Sequence, residues 1–283
     1  MSFGDRLLEA FERRGRLCVG IDPHPWLLER WELEVSAAGA REFGLRVVDA
    51  AAESAGILKP QVSFFERWGS SGFVALERVL AEARQAGILV IADAKRGDIG
   101  STMDAYARAW LTPGEPLEAD ALTVNPYLGL GALDGVAAFA KEAGKGLFVL
   151  AATSNPEAAL LQRARGEEHG ETVAGSVVRG VRAWNDSLGP LGSFGVVIGA
   201  TLDLASYGIP QGEAASPVLP ILAPGFGAQG AELGRLDDIY GALAAGVIVS
   251  ESRSLLELGP AALNDGIRRA QETIATRTIG KMP

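Results

Sequence analysis

Short apolar runs alternate with longer amphipathic segments along the whole chain. The runs are rich in valine, isoleucine and leucine, which is typical of buried strands. Predicted strands cover Leu17–Ile21, Ile57–Val62, Ile88–Ala92, Ala121–Val124, Leu147–Ala151, Gly195–Ile198, Val218–Leu222 and Val247–Val249. Helical patterns lie at Ala38–Ser54, Phe73–Gln85, Ser101–Trp110, Leu133–Glu142, Thr172–Ser187, Leu236–Ala245 and Pro260–Ile274, after an amphipathic N-terminal helix between Met1 and Arg14.

This alternation predicts the fold class. Strands that alternate with helices form parallel sheets, and a count of eight such strands suggests a closed (β/α)8 barrel, here with an additional N-terminal helix. The stretch Ile209–Pro217 is predicted to be a loop before the seventh strand. No Pro/Ser-rich linker or shift in composition divides the chain, so we expect residues 1–283 to form a single barrel domain.

Composition and charge indicate which binding partners to expect and in which cellular compartment the protein lies. The chain of 283 residues is 48% hydrophobic and 22% charged, which is typical of a globular protein with a sizeable core. A net charge of −9 argues against nucleic acid but leaves room for a local basic pocket that binds a small anion. The single Cys18 excludes a disulfide framework, as is usual in the cytoplasm. No run has membrane-spanning length and the first residues do not resemble a signal peptide, so we expect a cytoplasmic protein without membrane contact.

The most informative stretch is the heptapeptide Asp93–Ile99, which follows the third predicted strand. Side chains alternate along a strand, so Asp93 and Lys95 continue its buried face, and a second carboxylate, Asp98, follows in the turn. Burying such charges is costly unless they are paired. Taken alone, the heptapeptide is explained as well by a structural ion pair as by catalytic chemistry.

The other strand ends favour chemistry. In a (β/α)8 barrel the functional residues lie at the C-terminal ends of the strands. Lys59 is at that end of strand two, and Asp22 directly follows strand one. Two lysines and two aspartates, Lys59, Asp93, Lys95 and Asp98, then converge on one mouth. A structural ion pair that stabilises one strand end does not explain four charged residues in one place.

A phosphate site is predicted on the last two strands. The Gly-rich loop Pro224–Gly230 follows strand seven, and Arg253 follows strand eight, which is where barrels commonly bind phosphate. Glycines let backbone N–H groups approach an anion closely, and an arginine can grip it bidentately. We therefore expect a phosphorylated small molecule as the ligand.

Other chemistries find less support. His24 lies in a loop and His169 in a charged surface run, with no Cys/His cluster at metal-ligand spacing. There is no nucleophile elbow, dinucleotide fingerprint or Walker loop. Schiff-base chemistry needs a neutral amine, whereas two flanking carboxylates favour the charged form of Lys95. A charged lysine suits proton donation and electrostatic stabilisation better.

The motif Asp93-Ala94-Lys95-Arg96-Gly97-Asp98-Ile99, with Lys59 upstream and the Pro224–Gly230 loop and Arg253 downstream, closely resembles the orotidine 5′-phosphate decarboxylases in their longer bacterial form, type 2. The resemblance runs from strand one to strand eight. A wider superfamily of decarboxylases and aldolases shares the D-x-K-x-x-D spacing, but the Lys-Arg-Gly-Asp-Ile and Pro-Gly-Phe-Gly-Ala-Gln segments are more specific. The resemblance implies decarboxylation of orotidine 5′-monophosphate to uridine 5′-monophosphate (UMP), in pyrimidine biosynthesis, without metal or cofactor.

The resemblance also implies roles for individual residues. Lys95 protonates C6 of the pyrimidine and stabilises the carbanion, while Asp93 sits against the substrate carboxylate. Lys59 and Asp98 complete an alternating charge network, with Asp98 delivered by the neighbouring subunit of a homodimer. The implied substrate-binding residues are Asp22 and Thr102 for the ribose (Thr102 from the neighbour), Ser154 for the pyrimidine edge, Gln229 and Arg253 for the phosphate, and also Gly227, Ser252 and Ile99. Many relatives have glycine where this chain has Ser252, although its backbone N–H can still contact phosphate.

Two alternatives stay open at this point. A Mg²⁺-dependent sugar-phosphate decarboxylase or aldolase of the same superfamily would need further carboxylate ligands near strands two and three, where Glu66 lies too far along the chain. A non-catalytic phosphate-ligand sensor on a barrel scaffold would have no reason to repel an anionic ligand with Asp93.

Overall fold

The structure is a computed structural model, and it describes residues 1–166, 170–185, 189–212 and 216–278. His169 lies outside the described residues. Within the described ranges, no helix is long and apolar enough to cross a membrane.

Parallel strands form a closed barrel. In the described part of the chain the barrel strands are β1 (Leu17–Ile21), β2 (Ile57–Pro60), β3 (Leu89–Arg96), β4 (Ala121–Val124), β5 (Gly146–Ala152), β6 (Phe194–Ile198), β7 (Ile221–Pro224) and β8 (Val247–Glu251). Each strand pairs with the next in the chain, and β8 closes the barrel on β1 through Leu17↔Val249 and Cys18↔Ser250. The predicted (β/α)8 fold class is confirmed.

Helices surround this barrel. Among the described residues the α-helices are α1 (Phe3–Arg14), α2 (Pro25–Arg30), α3 (Ala37–Ala51), α4 (Ser63–Glu66), α5 (Gly69–Gln85), α6 (Gly100–Leu111), α7 (Asp134–Glu142), α8 (Ala159–Gln162), α9 (Val173–Trp184), α10 (Leu236–Tyr240), α11 (Arg253–Leu256) and α12 (Leu263–Thr278). The additional N-terminal helix α1 begins with a capping box, in which Ser2 and Asp5 each accept a hydrogen bond from the other's backbone N–H.

The inside of the barrel is apolar at its N-terminal end. Phe3 of α1 is fully buried and meets Phe148 of β5 edge to face, with the ring centroids 6.1 Å apart. Cys18 shares this cluster, and burial raises the pKa of its thiol to about 12, so it is a core residue rather than a nucleophile. Ile57 and Ile91 also belong to the cluster. Two residues further along the same strands, the interior therefore changes from apolar to charged.

The largest differences from the predicted strand boundaries are at β3 and β7. β3 continues beyond Ala92 to Arg96, because Arg96 pairs with Val124 of β4 after an irregularity in the register. β7 begins at Ile221 rather than Val218, which instead forms an isolated bridge with Leu191. Hydrophobic periodicity finds the apolar run, but pairing with the neighbouring strand decides where the strand begins and ends.

Candidate active site

Three charged side chains meet at the C-terminal mouth of the barrel. The Asp93 carboxylate accepts a hydrogen bond from Lys59 Nζ at 3.0 Å on Oδ2 and from Lys95 Nζ at 2.6 Å on Oδ1. Lys59 and Asp93 are buried, whereas the Lys95 side chain is 44% exposed. Of the four charged residues predicted to converge, Lys59, Asp93 and Lys95 do so within one chain, and Lys95 is the most exposed of the three.

The backbone at Lys95 departs from regular strand geometry. Its φ is +49°, in the left-handed region that costs a non-glycine residue about 1–2 kcal/mol. The Thr123 side chain of β4 holds this turn, because its Oγ1 accepts the Lys95 backbone N–H at 2.9 Å and donates to Asp93 Oδ1 at 3.0 Å. Simple alternation along β3 therefore predicted the right neighbours for Lys95 but not the backbone conformation that brings its amine to Asp93.

Electrostatic attraction keeps the buried pair Lys59 and Asp93 ionised. Burial alone would raise the pKa of Asp93, but the ammonium groups of Lys59 and Lys95 outweigh it and hold that pKa well below its ordinary value. Burial alone would lower the pKa of Lys59, but the carboxylates of Asp93 and Asp22 outweigh it and raise that pKa. Asp93 and Lys59 are thus both charged at neutral pH.

Two uncharged residues of the cluster received no role from the sequence. Thr123 supports Asp93 and Lys95 as described above. Gln61 donates to the backbone carbonyl of Asp93 at 3.3 Å and accepts from Lys95 Nζ at 3.4 Å. Gln61 directly follows β2, and Thr123 lies one residue before the end of β4, so their position near the barrel mouth is the only sequence signal of their involvement. Polar side chains at strand ends are therefore candidates even when they carry no charge.

Ser252 connects two neighbouring strand ends. Its hydroxyl donates to Oδ2 of Asp22, which follows β1. The other oxygen, Asp22 Oδ1, is buried and has no hydrogen-bond partner among the described residues. The residue after Ser252, Arg253, is exposed and lines the cavity described below, so its guanidinium is accessible to an anion.

The Gly-rich loop lies beside this corner. The Ser154 hydroxyl donates to Gln229 Oε1 at 3.3 Å, so the segments that follow β5 and β7 are in contact at the mouth. Gly227 has φ +65°, and a Cβ there would lie 2.4 Å from Ser254 Oγ, so only glycine fits against α11. The Gly227 N–H donates to Ala231 at 3.1 Å within the loop. Gly227 thus shapes the loop, whereas Gln229 reaches the cavity.

These side chains line one cavity of about 510 Å³. Of the predicted site residues, those lining it are Asp22, Lys59, Asp93, Lys95, Ser154, Gln229, Ser252 and Arg253. Apolar walls come from Phe64 and Phe226, among others, and His24 lies beside Phe64 with the ring centroids 4.2 Å apart. Burial lowers the pKa of His24, so it is neutral at neutral pH. The cavity offers cations and carboxylates in alternation, with an open cation at one end.

Asp98, Ile99 and Thr102 lie elsewhere. They are in the loop after β3 and at the start of α6, and do not line this cavity. Ile99 is 62% exposed, Thr102 is exposed, and the Asp98 carboxylate accepts the Ile99 N–H at 2.9 Å. One chain therefore does not bring Asp98 to the Lys59–Asp93–Lys95 cluster.

Glu66 does not line the cavity. It forms an ion pair with Arg96, whose guanidinium also lies over the ring of Tyr106. Within the described ranges, no three histidine, cysteine, aspartate or glutamate side chains are grouped so that they could hold a metal ion.

The chain matches the model of the "Orotidine 5′-phosphate decarboxylase / HUMPS family" over residues 15–255. Among curated proteins, it is 48% identical over 280 residues to the orotidine 5′-phosphate decarboxylase of a Nocardioides species, covering 96% of this chain and 98% of the relative. It is 50% identical over 260 residues to that of Streptomyces coelicolor, covering 91% of each.

Solved structures agree. The crystal structure of a candidate orotidine 5′-phosphate decarboxylase from Streptomyces avermitilis superposes with a TM-score of 0.92 at 48% identity, covering 98% of this chain and 95% of the other. The OMP decarboxylase of Leishmania donovani superposes with a TM-score of 0.77 at 33% identity, covering 98% and 99%. The similarity extends over essentially the full length of each of these proteins.

Proposed function

The chain belongs to the orotidine 5′-phosphate decarboxylase / HUMPS family, and from this we propose that it decarboxylates orotidine 5′-monophosphate to UMP, with Lys95 as the proton donor. The observation that carries the proposal is the alternating Lys59–Asp93–Lys95 cluster at the barrel mouth. This cluster places a carboxylate between two ammonium groups, in the same cavity as the Arg253 guanidinium.

In the proposed reaction, the bond between C6 and the carboxylate carbon breaks and carbon dioxide leaves. The electron pair stays on C6, where it is not delocalised into an electron sink. The Lys95 ammonium stabilises this developing charge and then transfers a proton to C6. A fixed ammonium is effective here because it needs no reorganisation as the charge develops.

Asp93 destabilises the bound substrate, whereas Lys95 stabilises the charge that develops on C6. It is ionised and buried, so it repels the carboxylate of the bound substrate, and this repulsion is relieved as carbon dioxide departs. Contacts to the remote phosphate can offset the repulsion, because binding energy from a non-reacting part of a substrate can be used at the reacting centre. We assign the phosphate to Arg253 and Gln229, the pyrimidine edge to Ser154 and the ribose to Asp22.

We further propose that the active form is a homodimer, in which Asp98, Ile99 and Thr102 complete the partner's site. In this chain they are on the β3–α6 segment, outside the cavity. Large apolar side chains exposed nearby are Ile99 and Tyr106 of this segment and Tyr127 and Leu128 of the loop after β4. Such a patch suits a two-fold interface, where each subunit lends the same residues to the other.

The test follows loss of the orotidylate absorbance with purified protein in the presence of EDTA. We expect turnover in the wild type, none in Lys95→Ala, and unchanged turnover in the control Lys141→Ala, which removes an exposed lysine on α7. Lys95→Ala should still bind UMP, because an interaction made only in the transition state affects kcat rather than affinity.

Near-normal turnover in Lys95→Ala would contradict the proton-donor assignment. Turnover that EDTA abolishes would instead favour the Mg²⁺-dependent alternative. Binding of phosphorylated ligands without any turnover would favour a sensor.

A further inference from the structure

The contact between Ser252 and Asp22 joins the two strands that close the barrel. β1 and β8 are paired, and Asp22 and Ser252 each directly follow their strand. The Ser252 hydroxyl donates to Asp22 Oδ2, although the two residues are 230 positions apart in the chain. Closure of the barrel therefore creates this hydrogen bond between the first and last strand ends.

Helix capping does not explain the Ser252 hydroxyl. Ser252 is the N-cap of α11, a position where a serine side chain usually accepts a hydrogen bond from the first turn of the helix. Here the side chain makes no such bond, and the helix start is served by the Ser252 backbone carbonyl, which accepts from Leu255 at 3.0 Å and Leu256 at 2.9 Å. A capping role thus does not account for the serine.

The neighbouring strand β1 leaves room for the Ser252 side chain. Gly20 of β1 lies opposite, and a Cβ built on Gly20 would be 2.6 Å from the Cβ and 2.9 Å from the Oγ of Ser252. Real side chains do not approach so closely, so a larger residue at Gly20 would displace the serine. Gly20 and Ser252 are matched to one another.

The carboxylate that Ser252 holds is only half satisfied. Asp22 Oδ1 is buried and, within the described residues, receives no hydrogen bond. An unsatisfied buried oxygen is costly, so a ligand hydroxyl that donates to it gains more than it would at an exposed carboxylate. Both Asp22 and Ser252 line the cavity, next to Arg253.

We propose that Ser252 is a positioning residue for sugar recognition, which fixes the Asp22 carboxylate so that it accepts from a ribose hydroxyl of a 5′-nucleotide. Because Ser252 directly precedes Arg253, it also connects the residue assigned to the phosphate, Arg253, with the residue assigned to the ribose, Asp22. This inference rests on the proposed function, and it deepens the ribose assignment of Asp22. A residue in the site need not touch the substrate to decide which sugar is accepted.

The test compares dissociation constants for UMP and for its 2′-deoxy and 3′-deoxy counterparts. We expect the wild type to bind UMP more tightly than at least one deoxy analogue, and Ser252→Ala to reduce this ratio about ten-fold, as for a lost hydrogen bond to a charged group. In an Asp22→Ala background the same change should have no further effect, because Ser252 acts only through that carboxylate. Ser176→Ala, which removes a hydroxyl on the outer helix α9, is the matched control.

An unchanged ratio in Ser252→Ala, or an equal reduction in the Asp22→Ala background, would overturn the inference. Ser252→Gly removes the same hydroxyl and gives a second measurement if the alanine variant does not fold. A wild type that binds UMP but does not discriminate the deoxy analogues overturns the inference alone. A wild type that discriminates them, and loses this in Ser252→Ala, but never decarboxylates orotidylate overturns the proposed function and leaves the positioning role intact.

Discussion

Replacing Thr123 by valine should disorganise the catalytic cluster without altering the walls of the cavity. The Thr123 side chain is buried and does not line the cavity, yet its hydroxyl accepts the Lys95 N–H at 2.9 Å and donates to Asp93 at 3.0 Å. Valine keeps the shape of threonine but removes both hydrogen bonds. The variant therefore separates positioning of Lys95 from contact with the substrate.

The expected magnitude follows from these two bonds. The Lys95 N–H loses its acceptor in a partly buried place, which costs about 1–3 kcal/mol. Asp93 loses one donor but keeps two ammonium partners, so its loss adds less. We expect the free energy of unfolding to fall by about 2 kcal/mol. Because Lys95 is held at φ +49°, it can relax away from its position, and a shift of about 1 Å at a reacting group costs about 10²-fold in rate.

The assay combines urea unfolding with steady-state decarboxylation kinetics. Thr123→Val should lower kcat by up to about 10²-fold with little change in KM, since Thr123 is not a cavity wall. Thr123→Ser retains the hydroxyl and serves as the control, with kcat close to the wild type. Wild-type kcat and stability in Thr123→Val, or equal impairment in both variants, would refute this reasoning.

Three further predictions concern the interface, the phosphate and the pH dependence of stability. Mixing Lys95→Ala and Asp98→Ala chains, each inactive alone, should restore about a quarter of all sites after subunit exchange. Random pairing makes about half the dimers mixed, and one of the two sites in each mixed dimer then has both native residues. If no activity returns although mass measurements confirm the exchange, Asp98 serves the site of its own barrel. Arg253→Ala should lower kcat/KM for orotidylate by about 10²-fold through loss of a charge-assisted contact, and a phosphate-free nucleoside that reacts as well as the nucleotide would contradict this. Burial raises the pKa of Glu251 above its ordinary 4.5, so the folded state retains a proton that the unfolded state loses. The stability of the wild type relative to Glu251→Gln should therefore fall as pH rises above 4.5 through the folded pKa, and a difference between their urea-unfolding free energies that stays constant with pH would contradict this.

The sequence by itself determined the barrel and the charged mouth. Apolar runs that alternate with helices specify parallel strands, whose C-terminal ends share one edge of the barrel. Lys59 and Asp93 each lie two residues beyond a core isoleucine, Ile57 and Ile91, so strand periodicity alone places both charges in the barrel interior. These features depend on local patterns, which is why they could be predicted from the chain.

Only the tertiary structure decided how the site is held. The left-handed turn at Lys95 and the support from Thr123 arise from an irregular register between β3 and β4. The hydrogen bond from Ser252 to Asp22 requires closure of the barrel between β8 and β1. Each of these contacts depends on how two strands are aligned, and the periodicity within a single strand carries no information about its alignment with another.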